Sequence, residues 1–561
     1  MRARFDSLIA SSCFAIASAI GIVGAFFGLK LSSFWLDELF TAWIVEVGIT
    51  FDQFVARFVT DVHPPVYYGL AYAYAQLFGD DEVGLRSLSA VLAGLAIVLF
   101  VTSTARYFSL AARLFGSAMA TGSFFWFYHS QNARGYSLSF VIGTGILALS
   151  LSLIDKRNRP DARTAIDLAG LAGLMVLGSF VHFYLMYECL AVLVVLWVFC
   201  PRHRIFFMAL GAALLVSTGA YVKIVVEVFS QYTTTTNWIH GDPAWYVEQL
   251  HSAFVYSFTN KALLALAICI GAWLSQRFVV DRMGVAASAK PGFLLAGRFP
   301  LDAQTALFAG VPVVVFIGGV ASSLLIAPNF TDRNLLVCSP FLWALSAKLY
   351  DAGVPHAERR LRVAANLMLS AVAIWMAVTM VAGRTRLWKE PFRETAEWIK
   401  TFPECRDQPI MVINAQPRAW FKPGYAEILY GDFYATYLNE FARPQVIFME
   451  DILAHKLPED VKEYLRSRVD GNGCPVLAWS IHLITEKEFE QTWRELLKAI
   501  GRPDAIGQVQ TKVLYDLLPG YLLRADRAAV RDPSQSRDSK VPPAQRKTSP
   551  APTPSRPAPR N

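Results

Sequence analysis

Runs of about 20 apolar residues recur through the first two-thirds of this chain, and they limit its fold more than any other feature. An α-helix of that length spans the roughly 30 Å hydrocarbon core of a bilayer. Only 17% of the residues are charged, whereas soluble proteins carry about 25%. The sequence therefore predicts a polytopic α-helical membrane protein whose surroundings are the lipid bilayer.

We predict about eleven membrane spans, and the charges between them give the chain an orientation. The spans lie at about 8–29, 84–105, 110–128, 136–154, 164–182, 183–200, 205–228, 260–276, 303–326, 334–350 and 363–383. Segments on one side hold eighteen Lys and Arg residues, and segments on the other side hold six. Because positive loops stay in the cytoplasm, we expect the N-terminus inside and the C-terminal region in the periplasm. The net charge of +8 lies mainly between spans and does not indicate nucleic-acid binding.

Two segments admit a second interpretation. The first span can be a cleaved signal peptide, but its long apolar run and the lack of a small-residue cleavage site favour a retained anchor. Residues 64–79 are apolar enough for a span, but only about 14 residues follow two prolines, and four tyrosines suit the headgroup zone. We therefore predict that residues 31–83 form one large periplasmic loop with interfacial helices.

The composition changes after residue 383, where the predicted transmembrane region, residues 1–383, ends. Strand and amphipathic-helix patterns then alternate, which predicts a small periplasmic α/β domain over residues 384–530. The strand patterns lie at 409–413, 445–449 and 475–479, and the helix patterns at 392–402, 459–468 and 485–499. The tail 531–561 is rich in proline and basic residues, and we expect it to be disordered.

Cys405 and Cys474 are the two of the seven cysteines that fall in the predicted soluble domain. In an oxidising compartment they can form a disulfide, although spacing alone does not show that the two thiols meet. No Cys or His cluster indicates a metal site.

Asp37 and Glu38, in the sequence WLDE directly after the first span, are the candidate catalytic residues. Placing two adjacent carboxylates at the end of a membrane helix costs free energy, so such a pair usually has a basic partner or a function. The two carboxylates can cap an interfacial helix or pair with a basic residue. Alternatively, one of them can act as a catalytic base, because partial desolvation and a like-charged neighbour raise a carboxyl pKa.

Three basic residues on the predicted outer side are candidates for binding a phosphate. His63 stands before Pro64 and Pro65, which forbid helix through that position. Arg134 and Arg333 precede the fourth and tenth spans, where two guanidiniums can clamp a phosphate. Each has a simpler alternative: a helix-start signal for His63, a snorkelling anchor for Arg134, and a salt bridge to Asp332 for Arg333.

Four aromatic residues on the same side are candidates for lining an acceptor cavity. They are Tyr67, Tyr68, Tyr136 and Trp238.

Four motifs follow one another in a fixed order: WLDE after the first span, HPPVYY in the same loop, QNARGY before the fourth span and TDRN before the tenth. In this order and sidedness, the chain resembles the GT-C superfamily of polyprenyl-phosphate-sugar-dependent glycosyltransferases over about residues 1–383. More narrowly, it is similar to the bacterial branch related to protein O-mannosyltransferases, which includes the aminoarabinosyl- and galacturonosyltransferases of lipid A. No single motif is specific for this superfamily.

The resemblance implies an inverting enzyme of the bacterial inner membrane. It would move a sugar from a polyprenyl-phosphate donor to an envelope acceptor, which can be lipid A, a glycolipid, a polysaccharide or a protein. It makes Asp37 the general base with Glu38 beside it, and places His63, Arg134 and Arg333 near the donor phosphate. Protein-mannosylating relatives carry a second acid in the next outer loop. Residues 128–135 contain none, so we expect no metal cofactor.

Other functions stay open at this stage. A protein O-mannosyltransferase is the nearest one. A polytopic transporter would explain intramembrane charges such as Lys223 and Glu227, but the sequence lacks the inverted repeats that transporters usually show. A third alternative is an inactive scaffold that binds partners through the C-terminal domain.

Overall fold

The amino-terminal two-thirds of the chain is helical. The computed structural model describes residues 2–158, 161–230, 239, 241–282, 302–326, 328–383, 392–414, 416–422, 424–470, 476–480, 486–503, 509–512 and 520–523. Trp238, Cys474 and the tail 531–561 lie outside these residues.

The helices up to residue 383 include both long and short ones. The first are α1 (Arg2–Ala25), α2 (Leu36–Ile44), α3 (Phe51–Phe58), α4 (Pro65–Phe78), α5 (Glu82–Ser103), α6 (Leu110–Thr121), α7 (Phe124–His129) and α8 (Tyr136–Asp155). They are followed by α9 (Thr164–Ser179), α10 (Phe183–Phe199), α11 (Arg204–Phe229), α12 (Pro243–Ser257), α13 (Asn260–Arg282), α14 (Val311–Leu325), α15 (Ser339–Gly353) and α16 (Arg359–Gly383). A π-helical turn, Ala306–Gly310, precedes α14, and a 3₁₀ helix, Asp332–Cys338, precedes α15.

Every predicted span overlaps one or more of the described helices, but the number eleven is not confirmed. Among the described residues, six helices are long and apolar enough to cross a membrane, and seven if the pair α12 and α13, bent by 73°, is one span. The predicted span 110–128 is interrupted because α6 ends at Thr121, where Gly122 is its C-cap, and Ser123 then caps α7. The helices α9, α10 and α15 have 16, 17 and 15 residues, which is shorter than the roughly 20 residues that usually span a bilayer. The chain is a multi-pass membrane protein.

Small residues allow the helices of the bundle to approach closely. The hydroxyls of Ser18 in α1 and Ser117 in α6 are 2.7 Å apart. A Cβ at Gly116 would lie 2.8 Å from the backbone oxygen of Trp343 in α15, so this contact requires glycine. Without a hydrophobic driving force between helices in lipid, such close packing is what holds a bundle together.

The predicted outer loop 31–83 contains the short helices α2, α3 and α4. Thr50 caps α3 by accepting the backbone N–H of Gln53, and the side chain of Gln53 accepts the N–H of Thr50 in return. Pro65 is the first residue of α4, a position where its missing N–H costs nothing. The location of these helices at the membrane interface stays a prediction.

The C-terminal region contains a mixed five-stranded sheet with the order β2-β1-β3-β5-β4. Its strands are β1 (Pro409–Asn414), β2 (Arg443–Phe448), β3 (Val476–Ser480), β4 (Val509–Lys512) and β5 (Gly520–Leu523). The helices are α17 (Phe392–Ile399), α18 (Tyr425–Leu438), α19 (Met449–Leu453), α20 (Glu459–Asp470) and α21 (Glu486–Ala499). Strands β2, β1 and β3 run parallel, whereas β5 and β4 pair antiparallel. The boundaries 384–530 of a separate domain stay a prediction.

A buried ion pair fixes the chain between α1 and α2. Nε and Nη2 of Arg86, in α5, donate to the two carboxylate oxygens of Glu38 over 3.0 and 2.6 Å. Both side chains are at most 2% exposed. The remaining guanidinium N–H groups donate over 2.7 Å to the backbone oxygens of Leu29, Ser32 and Ser33. This bidentate geometry satisfies the buried charges that low-dielectric surroundings would otherwise penalise.

Removing Arg86 should strongly destabilise the protein. Arg86→Ala leaves the Glu38 carboxylate buried without its cation, a loss that costs about 3–5 kcal/mol in comparable pairs. Thermal unfolding of the purified protein in detergent measures the loss. As a control, Arg106→Ala breaks the exposed pair between Arg106 and Asp155, which should cost less than about 1 kcal/mol. Equal unfolding temperatures for the two variants would contradict the central role of Arg86.

Candidate active site

Asp37 lies in the first turn of α2 and faces an arginine from a distant stretch of the chain. Its Oδ2 atom is 3.3 Å from Nη1 of Arg333, and the two side chains are 33% and 28% exposed. The guanidinium of Arg333 also lies 5.5 Å from the ring centre of Trp35, within the range of a cation–π contact. Asp332 accepts the backbone N–H of Arg333 over 2.7 Å. Asp37 is therefore an accessible carboxylate beside a cation.

Glu38 occupies a different environment from its neighbour. Its carboxylate is fully buried and engages Arg86 with both oxygens, and Oε1 also accepts the backbone N–H of Ala133 over 2.9 Å. A carboxylate that is closed to solvent and surrounded by donors cannot receive a proton from a bound hydroxyl. This geometry gives Glu38 a structural role and leaves Asp37 as the accessible acid of the pair.

A second cluster joins Asp61, His63, Tyr68 and Arg134. Nδ1 of His63 lies 3.1 Å from both carboxylate oxygens of Asp61, and the hydroxyl of Tyr68 donates to Oδ2. Nη1 of Arg134 donates to the Tyr68 hydroxyl over 2.7 Å and lies 3.5 Å from Asp61. Nη2 is 2.8 Å from Nδ1 of His63. The arginine, which is only 6% exposed, is thus held by several groups at once.

The local sequence explains how these side chains come together. Pro64 and Pro65 start α4, so His63 stands at the bend before the helix and Tyr67 and Tyr68 lie in its first turns. Arg134 belongs to the turn between α7 and α8, two successive helices of the bundle. It donates to the backbone oxygen of Asp37 over 3.4 Å. The two clusters therefore form one site.

The charges of the second cluster are set by burial and by neighbours. Burial opposes the charged form of Asp61, but the adjacent His63 and Arg134 outweigh this effect and hold the pKa of Asp61 below its usual value. Burial raises the pKa of Tyr68 well above its usual value, so the phenol keeps its proton. The result is an ionised Asp61, a cationic Arg134 and a neutral tyrosine bridging them.

A narrow cavity lies beside Arg134. It is lined by His63, Pro64, Tyr67, Tyr68, Arg134, Gly135, Tyr136, Val181 and His182. Three of the four predicted cavity aromatics therefore line one cavity, and Trp238 lies outside the described residues. Together with Arg134, these side chains form a mostly aromatic wall with one buried cation.

Four residues of the site were not predicted from the sequence: Asp61, Trp35, Arg86 and His182. Asp61 stands two residues before His63, and a carboxylate beside a histidine was a usable signal. His182 caps α10, where its Nδ1 accepts the backbone N–H of Tyr184 over 3.2 Å, but a histidine between two apolar runs gives no hint of the cavity. Arg86, near the start of the predicted span 84–105, carries no sequence signal that separates it from other basic residues at span ends.

The structure shows the bonding state of the described cysteines. Cys405 is disulfide-bonded, and the other described cysteines have free thiols. Because Cys474 lies outside the described residues, the pairing of Cys405 with Cys474 stays a prediction.

In the stretches of chain that the structure describes, no group of three or more His, Cys, Asp or Glu residues could hold a metal ion. Metal independence stays a prediction as well.

Comparison with known proteins identifies the fold. No protein-family model and no curated protein match the sequence. The structure is similar to ArnT from Cupriavidus metallidurans bound to undecaprenyl phosphate, with a TM-score of 0.53, 12% identity, and coverage of 91% of this chain and 98% of ArnT. AglB from Archaeoglobus fulgidus, in complex with an inhibitory peptide and a dolichol-phosphate, gives a TM-score of 0.42 with 11% identity, and the match covers 91% of this chain and 74% of AglB. The chain therefore shares the membrane fold of ArnT, which agrees with the fold expected from the resemblance to the GT-C superfamily.

The Asp61 cluster predicts a pH-dependent contribution to stability. Because the Asp61 pKa is lower in the folded protein than in the unfolded chain, its charge stabilises the fold above about pH 4, and this contribution is lost as the pH falls towards the folded pKa. Asp61→Asn should therefore lower the unfolding temperature clearly at about pH 5, and by less below about pH 4.

Asp52→Asn, an exposed change on α3, serves as the control and should have little effect at any pH. A loss on Asp61→Asn that does not shrink in acid would contradict the charged state of Asp61.

Proposed function

We propose that this chain with the GT-C fold is an inverting glycosyltransferase that moves a sugar from a polyprenyl-phosphate donor to an envelope acceptor on the periplasmic side of the inner membrane. The observation that carries the proposal is the pairing of the accessible Asp37 with Arg333, 3.3 Å apart, beside the buried cation Arg134. A proton acceptor and cations for a phosphate are the groups that this transfer needs. ArnT, the similar structure, is bound to undecaprenyl phosphate, which suggests the donor class.

Asp37 serves as the general base in this proposal. The acceptor hydroxyl attacks the anomeric carbon of the donor sugar, and its proton passes to the Asp37 carboxylate. The bond between the anomeric carbon and the phosphate oxygen breaks on the opposite side, so the configuration inverts. The transition state has oxocarbenium character, as in glycoside hydrolysis.

Arg333 and Arg134 stabilise the departing polyprenyl phosphate, which takes the electron pair of the broken bond. Arg333 is partly exposed and can turn from Asp37 to the phosphate, whereas Arg134 is held by Tyr68 and His63 and acts as a fixed cation beside the cavity. Preorganised donors of this kind lower the barrier where charge develops. The polyprenyl phosphate leaves as an anion stabilised by these cations, so the step needs neither a proton on the phosphate nor a metal ion.

We expect the aromatic side chains beside Arg134 to contact the sugar once the donor is bound, because the narrow cavity itself has room for only about one water molecule. Tyr67 and Tyr136 offer rings that bury apolar faces and hydroxyls that bond to polar groups, and His182 contributes to the same lining. A protein O-mannosyltransferase is the alternative within the same reaction class, and the sugar and acceptor identified by mass spectrometry would separate the two.

The transporter alternative gains no support. The charges that motivated it, Lys223 and Glu227, lie one turn apart on α11 with 3.7 Å between them, and their side chains are 77% and 63% exposed. A transport pathway would place such charges in the bundle interior.

Asp37→Asn should abolish transfer while leaving the fold intact, because the amide keeps the shape of the side chain and cannot accept the proton. A loss of at least about 100-fold is expected for a general base. Mass spectrometry of envelope lipids and glycans compares a strain lacking the chain with strains that express the wild type, Asp37→Asn or Asp52→Asn.

Asp52→Asn makes the same chemical change on an exposed stretch of the outer loop and should restore the product. Product formation by Asp37→Asn would exclude Asp37 as the base. An envelope that is unchanged in the deletion strain would refute the proposed function.

Arg333→Ala should weaken the binding of undecaprenyl phosphate to the purified protein. A hydrogen bond to a charged group contributes about 1.5–3 kcal/mol, so a loss of at least about tenfold is expected from native mass spectrometry or a thermal-shift titration. Lys30→Ala removes an exposed basic side chain just before the same outer segment, so it is the matched control and should bind as the wild type does. Unchanged affinity in Arg333→Ala would remove Arg333 from the phosphate site.

A further inference from the structure

Helix α18, in the C-terminal region, contacts the start of the helix that carries Asp37. The hydroxyl oxygen of Tyr437 accepts the backbone N–H of Phe34 over 2.7 Å, and the same hydroxyl donates to Glu82 over 2.7 Å. Phe34 directly precedes Trp35, the N-cap residue of α2. One tyrosine thus joins the C-terminal region to the entry of α2 and to α5.

The other end of α2 is held by the same helix. Nε1 of Trp43 donates to Oδ2 of Asp432 over 3.0 Å. The buried ring of Phe433 packs edge-on against Phe40 and Trp43, with centroid distances of 5.2 and 6.1 Å. Contacts at both ends of a nine-residue helix fix its position and its rotation.

Glu82 connects these contacts to the buried ion pair. It is buried and receives an N–H of Arg393 over 2.7 Å in addition to the Tyr437 hydroxyl. Arg86, which binds Glu38, follows Glu82 by one turn of α5 and faces the same segment, as expected for residues four apart. The chain before Asp37 is therefore clamped between Arg86 on α5 and Tyr437 on α18.

We propose that the α17–α18 region is a positioning element of the active site, and that Tyr437 sets the orientation of α2 and so of Asp37. This inference rests on the proposed function of Asp37. Tyr437 touches no reacting atom in this scheme; it acts through the Phe34 amide and Glu82. A base must sit within hydrogen-bond reach of the proton it removes, and a shift of about 1 Å can cost about 100-fold in rate.

Tyr437→Phe tests the proposal, because it removes the hydroxyl that joins Phe34 to Glu82 and keeps the ring. We expect kcat for sugar transfer to fall by about tenfold or more, with KM for the donor and the binding of undecaprenyl phosphate unchanged within about twofold. Hydrogen–deuterium exchange of a peptide covering residues 34–44 should become faster. Tyr430→Phe is the matched control, since its hydroxyl bonds to Gln416 within the C-terminal region, and it should leave all these quantities at wild-type values.

Asp432 supplies a second test at the other end of α2. Asp432→Ala removes the acceptor of the Trp43 N–H and should lower kcat, whereas Asp432→Asn retains an acceptor oxygen and should recover most of the activity. This pair separates the hydrogen bond from a general effect of the substitution.

These experiments separate a failure of the proposed transferase function from a failure of the positioning role of Tyr437. If the wild type makes no product, the proposed function fails, and the exchange measurement still decides whether α18 orders α2. If the wild type is active but Tyr437→Phe matches Tyr430→Phe in both kcat and exchange, the positioning role is overturned. A fall in activity that only follows the amount of folded protein would also overturn it.

Discussion

The buried pair of Arg86 and Glu38 is the interaction on which the arrangement of this site depends. Two charges placed in low dielectric are tolerated only when each is paired and hydrogen-bonded, and the guanidinium meets this condition through the carboxylate and three backbone oxygens. Consecutive residues of an α-helix point about 100° apart. Fixing Glu38 inward therefore turns its neighbour Asp37 towards the accessible side, where it meets Arg333.

The same principle orders the second cluster. Asp61 and Arg134 are buried together, and Tyr68 stands between them as a neutral bridge that satisfies both. Arg134 is thereby fixed, whereas Arg333 stays partly exposed next to Asp37. The site thus combines one cation that is immobile with one that a bound phosphate can attract. Because both residues are arginines, the difference between the fixed Arg134 and the partly exposed Arg333 comes from their burial.

Much of the organisation was predictable from local patterns. The alternation of strand and helix patterns predicted segments at 409–413, 445–449 and 475–479, and strands are found at Pro409–Asn414, Arg443–Phe448 and Val476–Ser480. The prolines after His63 predicted the start of α4. The predicted number of eleven spans is larger than the six or seven described helices that are long and apolar enough to cross a membrane. Apolar runs alone do not show where a turn such as Gly122–Ser123 divides a helix. Helix α18 and its contacts with α2 were not predicted, since they join residues about 400 positions apart.

The sequence by itself determined the membrane setting, the order of the motifs along the chain and the candidate residues Asp37, His63, Arg134 and Arg333. These follow from composition, hydrophobic length and the conformational limits of proline, all of which act over short stretches of chain. Only the tertiary structure decided which acid of the WLDE pair is buried, which arginine each carboxylate meets and what holds α2 in place. Those outcomes depend on desolvation and on partners distant in sequence, and local patterns carry no information about either.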